Sequence, residues 1–491
     1  MTDTITAIAG ERRMLIDGEL VDAGSGATFE NVNPATEAVL GVTTDAGADD
    51  MRRAVAAARR AFDETSWSTD AAFRRRCLEQ LHAALTEAKE ELRGIVVAEC
   101  GSPVAITYFV QVDPPIEDIA HWARLATDYE YERQLPVNTF MGRENRRLVL
   151  REPIGVVGAI TPWNFPLTLN LAKVAPALAA GNTVVLKPAP DTPWTATVMG
   201  RIIAEKTDIP AGVVNVVPSS DHLVGEVLTT DPRVDMVTFT GSTATGRRIM
   251  AKASETVKKV FLELGGKSAT IILDDADFSG LAMAGFGICM HSGQGCAITT
   301  RMLLPRSRYD EGVEAVAASL AAVPYGDPTD PSIIQGPLIS AKQRDRVLGY
   351  IEKGKAEGAR LVCGGSRATR FEKGYFVEPT LFADVDPDST IAQEEIFGPV
   401  LAIIPFDDDD DAVRIANNSI YGLSGAVTSA SEERSMALAR RIRTGTVSVN
   451  GGIWYGVDSP FGGYRQSGVG RENGVEGFEE YLEVKTVGLP A

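Results

Sequence analysis

From Ile154 onward the chain alternates short apolar runs with longer stretches in which apolar residues recur at helical spacing. Residues 154–160, 183–186, 213–217, 234–240 and 260–262 read as strands, and 167–180, 195–207, a short piece from His222, and 246–253 read as the helices between them. Brief apolar strands separated by helices mark a parallel sheet covered on both faces. The theme returns in the second half. Strand 269–273 precedes a helix over 278–290, strand 301–304 precedes a helix over 309–322, and 400–404, 425–427 and 446–449 are further strands. Ahead of all this, 15–42 mixes short apolar runs with Gly and Asn-Pro and reads as strands and turns; 49–62 and 73–98 are helical. The pattern predicts an α/β protein of two doubly wound domains that meet near Leu264–Gly265–Gly266.

Composition narrows the class. The 491 residues are 44% hydrophobic and 23% charged, within the globular range and long enough for several packed cores. The formal charge is −18, so a phosphate backbone is repelled and nucleic acid is not expected as a partner. The densest basic cluster, Arg74–Arg75–Arg76, reads as a solvated helix face, and the acidic run 407–411 as a helix N-terminus. No apolar run approaches the ~18–20 residues that span a bilayer, and the start lacks a basic segment followed by an apolar one. Five cysteines, an odd count scattered along the chain, do not form a disulfide framework and suit the reducing cytoplasm.

Four segments could carry chemistry. Phe239–Thr240–Gly241–Ser242–Thr243–Ala244–Thr245–Gly246 runs from strand through a glycine turn into a helix, where backbone amides can hold a phosphate. Its glycine spacing is not the common dinucleotide fingerprint, and an ordinary strand-to-helix turn fits it as well. Thr161–Pro162–Trp163–Asn164–Phe165–Pro166 follows a strand; its two prolines fix the turn, so Asn164 could donate to an oxyanion or simply satisfy local backbone. Gly293–Gln294–Gly295–Cys296 places the one cysteine that lies in a polar, glycine-rich loop. Cys289, Cys363 and Cys100 sit in or end apolar elements and read as structural, and Cys77, on a surface helix behind three arginines, ranks second as a reactive thiol. Glu263–Leu264–Gly265–Gly266–Lys267 ends a strand in a carboxylate that could be a general base or an ion-pair partner of Lys267 or another cation.

These pieces, in this order and each at a strand end, resemble the NAD(P)-dependent aldehyde dehydrogenase superfamily over nearly the whole chain. The likeness extends to Pro153–Ile154–Gly155, Gly181–Asn182–Thr183 with Lys187–Pro188, Glu394–Glu395–Ile396–Phe397–Gly398–Pro399, Tyr421–Gly422–Leu423, Pro460–Phe461–Gly462–Gly463, and Ser467–Gly468 with Gly470–Arg471–Glu472. The resemblance implies a Rossmann-like cofactor domain (1–130 and 152–264), a catalytic domain (265–470) and a small β oligomerisation element (131–151 and 471–491) that makes a homodimer or homotetramer. It implies Cys296 as nucleophile, Glu263 as general base and Asn164 as oxyanion donor with the Cys296 amide. It further implies cofactor contacts at Ile160, Thr161, Trp163, Lys187, Gly241, Ser242, Gly246, Leu264, Glu395 and Phe397, and no metal. His291 has no role in that scheme and reads as structural.

The activity so implied is oxidation of an aldehyde to a carboxylic acid through a cysteine thiohemiacetal and thioester. NAD is the expected cofactor. NADP stays open, because Pro190 stands where many NAD-preferring relatives carry a glutamate, with Asp191 following. A CoA-acylating relative and a non-redox cysteine acyltransferase or hydrolase are the alternatives; Glu263 argues against the first, and the glycine turn with Lys187 against the second. Segments 108–112 and 453–455 are expected along the aldehyde channel.

Overall fold

The computed structural model describes residues 9–491. Local chemistry sets the element boundaries. Pro166 and Pro193 are the first residues of helices Pro166–Ala180 and Pro193–Lys206, where a missing N–H costs nothing. Gly181 closes the first of these in the left-handed region, at φ 98°. The helix Asp409–Asn417 is capped by Asp408, whose side chain accepts from the Asp411 amide, so the acidic run is a helix start.

Eight strands form the first sheet, in the order Gly468–Val469, Lys259–Glu263, Met236–Thr240, Val156–Ile160, Thr183–Lys187, Val214–Val216, Met14–Ile16, Glu19–Val21. The five central strands are parallel. From Val156–Ile160 the chain steps outward to one side through Thr183–Lys187 and Val214–Val216. It then returns to the other side at Met236–Thr240. The order reverses between these neighbours, and a crevice opens beyond the carboxyl ends of strands at such a point. Alternate residues face two separate cores: Val157, Ala159, Val184 and Leu186 one side, Val156, Val185, Val237 and Phe239 the other.

Seven strands form the second sheet, ordered Arg360–Cys363, Thr380–Ala383, Val400–Phe406, Arg301–Pro305, Ala269–Ile272, Ser424–Thr428, Thr446–Val449; only the first pair is antiparallel. It too separates two cores, Ile271, Leu303 and Ile404 from Ile272, Leu304 and Ile403. A third, three-stranded antiparallel sheet pairs Leu482–Pro490 with Arg143–Pro153 and that with Glu132–Phe140. Both of its outer strands are edges, with Val137, Phe140 and Val484 exposed.

Three expectations are corrected. Arg74 is buried, donating to the carbonyls of Ala179 and Trp67, because the helix Ala71–Glu87 turns that face onto the end of helix Pro166–Ala180. Cys77 on the same helix is fully buried rather than on the surface, so no substrate reaches it, and burial pushes its thiol up to about 11. The single helix read over 278–290 is instead Phe278–Met283 and Met290–Gly293 in tight 3-10 turns around Ala284–Cys289. His291 and Ser292 are left-handed, at φ 48° and 58°, and no continuous helix passes through them. Among the described residues no helix is long and apolar enough to cross a membrane.

Candidate active site

The crevice at the switch point has a volume of about 660 Å³. Three strand ends wall it: Ile160–Thr161–Pro162–Trp163, Lys187–Pro188–Ala189–Pro190–Asp191 and Phe239–Thr240–Gly241–Ser242. Ser242 caps the helix Thr243–Ala253 by accepting from the Thr245 amide, so the first free amides and the positive end of the helix dipole face the crevice. Lys187 is 3% exposed and donates to the Ser219 carbonyl at 3.3 Å. Burial lowers its ammonium to about 8, opposed by the charges of Asp221 and Asp45. Arg248, Lys252 and Lys342 add cations to the wall; Asp191 and Glu226 are its carboxylates, and Glu226 is already paired with Arg248. Burial raises the Asp191 carboxyl, while His222 and Lys342 oppose that shift. Gly225 lets the wall come close to the lysine: a Cβ there would lie 3.2 Å from Lys187 Cδ. A cation-lined crevice with a helix N-terminus fits a dinucleotide pyrophosphate.

Of the expected cofactor contacts, Ile160, Thr161, Trp163, Lys187, Gly241 and Ser242 line this crevice. Gly246 and Leu264 lie behind its wall, packed together so closely that a Cβ on Gly246 would sit 2.6 Å from Leu264 Cδ2. Glu395 is at the junction of the two sheets, where Oε1 accepts the Gly266 amide at 3.0 Å. Phe397 meets Trp163 edge to face, with ring centres 5.4 Å apart, and so reaches the crevice through that ring.

The second locus is the chamber around Cys296. Asn164 is 4% exposed, and its Nδ2 donates to the Gln294 carbonyl at 2.9 Å, which ties the strand-end turn to the cysteine loop. One N–H of that amide remains for another acceptor. Gly266 allows the loop to approach from the opposite side: a Cβ there would be 2.6 Å from the Cys296 carbonyl. Glu263, at the tip of Lys259–Glu263, is 2% exposed and neither carboxylate oxygen has a hydrogen-bond partner. It makes no ion pair with Lys267 or any other cation among the described residues. The nearby pair is Lys173–Glu472 at 3.0 Å, fully buried. Burial, and then the Glu472 charge, raise the Glu263 carboxyl well above the ordinary carboxylate range.

Cys296 departs from the setting its loop sequence suggests. Burial first, then the charges of Glu263, Glu395 and Glu472, push its thiol upward; the charges that act on it are carboxylates rather than cations. Beyond it, a narrow groove between helices Asp113–Asp128 and Pro166–Ala180 is lined by Pro115, Thr168, Leu171, Ala172 and Tyr455. Tyr455 is close enough to Cys296 and Glu472 to feel both. Of the expected channel segments, Tyr455 lines this groove and Trp454 stacks on Phe461 at 5.4 Å. Thr107–Gln111 forms a single π-turn whose Val110 carbonyl accepts from Thr168.

The aldehyde dehydrogenase family model matches residues 20–487. The chain belongs to the aldehyde dehydrogenase family. It is 43% identical over 485 residues to a 3-succinoylsemialdehyde-pyridine dehydrogenase of a Pseudomonas species, covering 97% of this chain and 98% of that one. It is 41% identical over 480 residues to the geranial dehydrogenase of Castellaniella defragrans, covering 97% and 98%. A Mycobacterium tuberculosis aldehyde dehydrogenase complexed with NAD+ superposes with a TM-score of 0.93 at 45% identity, over 98% of each chain.

Within this aldehyde dehydrogenase, sequence reasoning missed the outer crevice wall and the acid cluster. Arg248 and Lys252 sit on a helix whose pattern reads as ordinary surface, and Lys342 and Gln343 come from the second half of the chain. Lys173 and Glu472 lie 299 positions apart, and only a lysine inside an apolar helix hinted at the first.

Proposed function

We propose that Cys296, Glu263 and Asn164 carry out the aldehyde oxidation of this chain, with a nicotinamide dinucleotide held in the crevice by Lys187, Ser242 and the amides after Gly241. The observation that carries the reading is the loop of the half-buried Cys296, hydrogen-bonded to the Asn164 carboxamide beside a buried carboxylate with no partner of its own.

The chemistry follows from those groups. The Cys296 thiol loses its proton to Glu263, the unpartnered base whose charge acts on it, and the sulfur adds to the aldehyde carbon. The thiohemiacetal oxygen takes up the spare Asn164 N–H and the Cys296 amide; one such donor lowers the barrier by ~3–4 kcal/mol. Bound in the crevice, the oxidised dinucleotide supplies the hydride acceptor. A thioester then remains on Cys296, and Glu263 passes the proton it took from the thiol to solvent before the next step. Glu263 takes a proton from water, the hydroxyl adds to the thioester carbon, and the carboxylic acid leaves as the thiol is restored. A carboxyl held above its usual range is a stronger base for this step than an exposed glutamate.

NAD is the cofactor we infer, supported by the NAD+-bound mycobacterial relative. The rings of Trp454 and Tyr455, which pack edge to face along the expected channel, support an apolar aldehyde. We infer a cofactor unit of 1–130 and 152–264, a catalytic unit of 265–470, and 131–151 with 471–491 as an oligomerisation element; the open edges of the three-stranded sheet support the last as the contact of a homodimer or homotetramer. Five unpaired cysteines support the cytoplasm.

The test is an aldehyde panel assayed with NAD and with NADP, each with and without coenzyme A. Reduced cofactor and free carboxylic acid, independent of coenzyme A, are expected, with NAD the better substrate. An acyl thioester as the main product, or product without reduced cofactor, would overturn the reading.

A further inference from the structure

Three side chains from separate segments converge on one main-chain oxygen, the carbonyl of Asn164. Gln111, the fully buried last residue of the π-turn, donates Nε2–H to it at 3.1 Å and also reaches Ser102 Oγ at 3.1 Å. Cys100, the last residue of helix Lys89–Cys100, places its sulfur 3.5 Å from the same oxygen and 3.3 Å from the Trp163 carbonyl. The buried His291 ring has Nε2 3.6 Å from that sulfur, and it too faces the Asn164 carbonyl. Burial holds the imidazole down to about 4, so it is neutral near pH 7 and serves through hydrogen bonding and packing.

His291 also belongs to the loop that leads to Cys296. Its carbonyl accepts the Gln294 amide at 3.1 Å, and the next residue, Ser292, is anchored by Oγ to the Gly336 carbonyl at 2.6 Å. The Gln294 carbonyl in turn holds the Asn164 side chain. Backbone and side chain of Asn164 are therefore fastened to the cysteine loop by different groups: the carbonyl through Gln111, Cys100 and His291, the carboxamide through Gln294. None of the first three has a part in the chemistry described above. π-turns recur at functional sites, where the extra residue re-aims a side chain, and here the residue so aimed is Gln111.

We propose that Gln111, assisted by Cys100 and His291, is a positioning residue for the oxyanion donor: by gripping the Asn164 carbonyl it fixes the backbone from which the carboxamide reaches the substrate oxygen. This rests on the reading of Asn164 as that donor. The lever is geometric, since a misplacement of about 1 Å at a reacting centre can lower a rate about 10²-fold.

The experiment measures the single-turnover burst of reduced cofactor in the full chain loaded with NAD, with active thiols titrated so that only folded enzyme counts. Gln111→Met, of similar volume but without the donor, is expected to slow the burst about 10- to 100-fold with aldehyde KM nearly unchanged. In an Asn164→Ala background the same substitution is expected to have no further effect, since the donor it positions is gone. Cys100→Ala should slow the burst, and Cys100→Ser, which keeps a donor, should restore most of that loss. A burst unchanged by Gln111→Met, or slowed by the same factor with and without Asn164, would overturn the proposal; the Cys100 pair decides the question should Gln111→Met fail to fold. If Asn164→Ala alone leaves the burst untouched, the oxyanion reading itself is wrong, and the two failures are distinguishable.

Discussion

The crevice beside Lys187 and the chamber around Cys296 are both built at strand ends, but their electrostatics are opposite. The crevice is wide, about 660 Å³, and carries Lys187, Arg248, Lys252 and Lys342 against Asp191 and a Glu226 already paired. The chamber gathers Glu263, Glu395 and Glu472 around one thiol, with the buried Lys173 paired to Glu472 and the buried Lys267 near Glu395. Cations gathered on one wall draw in a polyphosphate, and Lys187, though buried, is still charged below its lowered value of about 8. Carboxylates crowded into a low dielectric cannot all ionise, which suits one of them to the role of base proposed above. Binding and proton transfer thus need opposite surroundings, and the protein separates them on two sides of the Trp163–Phe397 contact.

Substitutions that remove one side only should show this division. The largest effect is expected for Cys296→Ala, which should abolish aldehyde-dependent formation of reduced cofactor while leaving dinucleotide affinity intact; turnover in that variant would dissolve the chamber as a reaction site. Glu263→Gln removes the base for both the thiol and the water, so reduced cofactor should next form slowly, to at most one equivalent per subunit, with no steady state. A steady state at the wild-type rate would mean another base. Asn164→Ala should lower kcat by ~10²–10³ with dinucleotide binding unchanged.

On the crevice side, Lys187→Met should raise the dinucleotide Kd by ~10- to 100-fold, as expected for loss of a charged hydrogen bond, and leave the burst rate at saturating cofactor nearly the same; a fall in kcat instead would blur the division. The smallest effect concerns pH. Lys187 is charged below its lowered value of about 8 and neutral above it, so dinucleotide affinity should weaken as pH rises from 7 to 9 in wild type and stay flat in Lys187→Met, measured by fluorescence titration.

Much of this was legible in order along the chain. The alternation of apolar runs and helical stretches located most of the parallel strands of the two large sheets, though not Thr380–Ala383, because side chains buried on both faces leave few polar positions to obscure them. Gly241, Glu263 and Cys296 announced themselves by standing at strand ends or in a glycine loop. Where side-chain burial decided the outcome, sequence was a poor guide. Arg74 looked solvated and is interior; Cys77 looked activated by its arginines and is sealed; Cys296 looked set among amides and faces carboxylates.

The sequence by itself therefore determined the two-sheet architecture, the family and the candidate nucleophile, base and amide, since periodicity and turn chemistry act over a few residues. Only the tertiary structure decided which charges meet: Lys173 with Glu472 across 299 positions, Gln111 and Cys100 on the Asn164 carbonyl, four cations on one wall. A local pattern carries no record of such meetings, because they arise where separate strands end side by side, and a group's proton affinity is set by the neighbours it acquires there and by the water it loses.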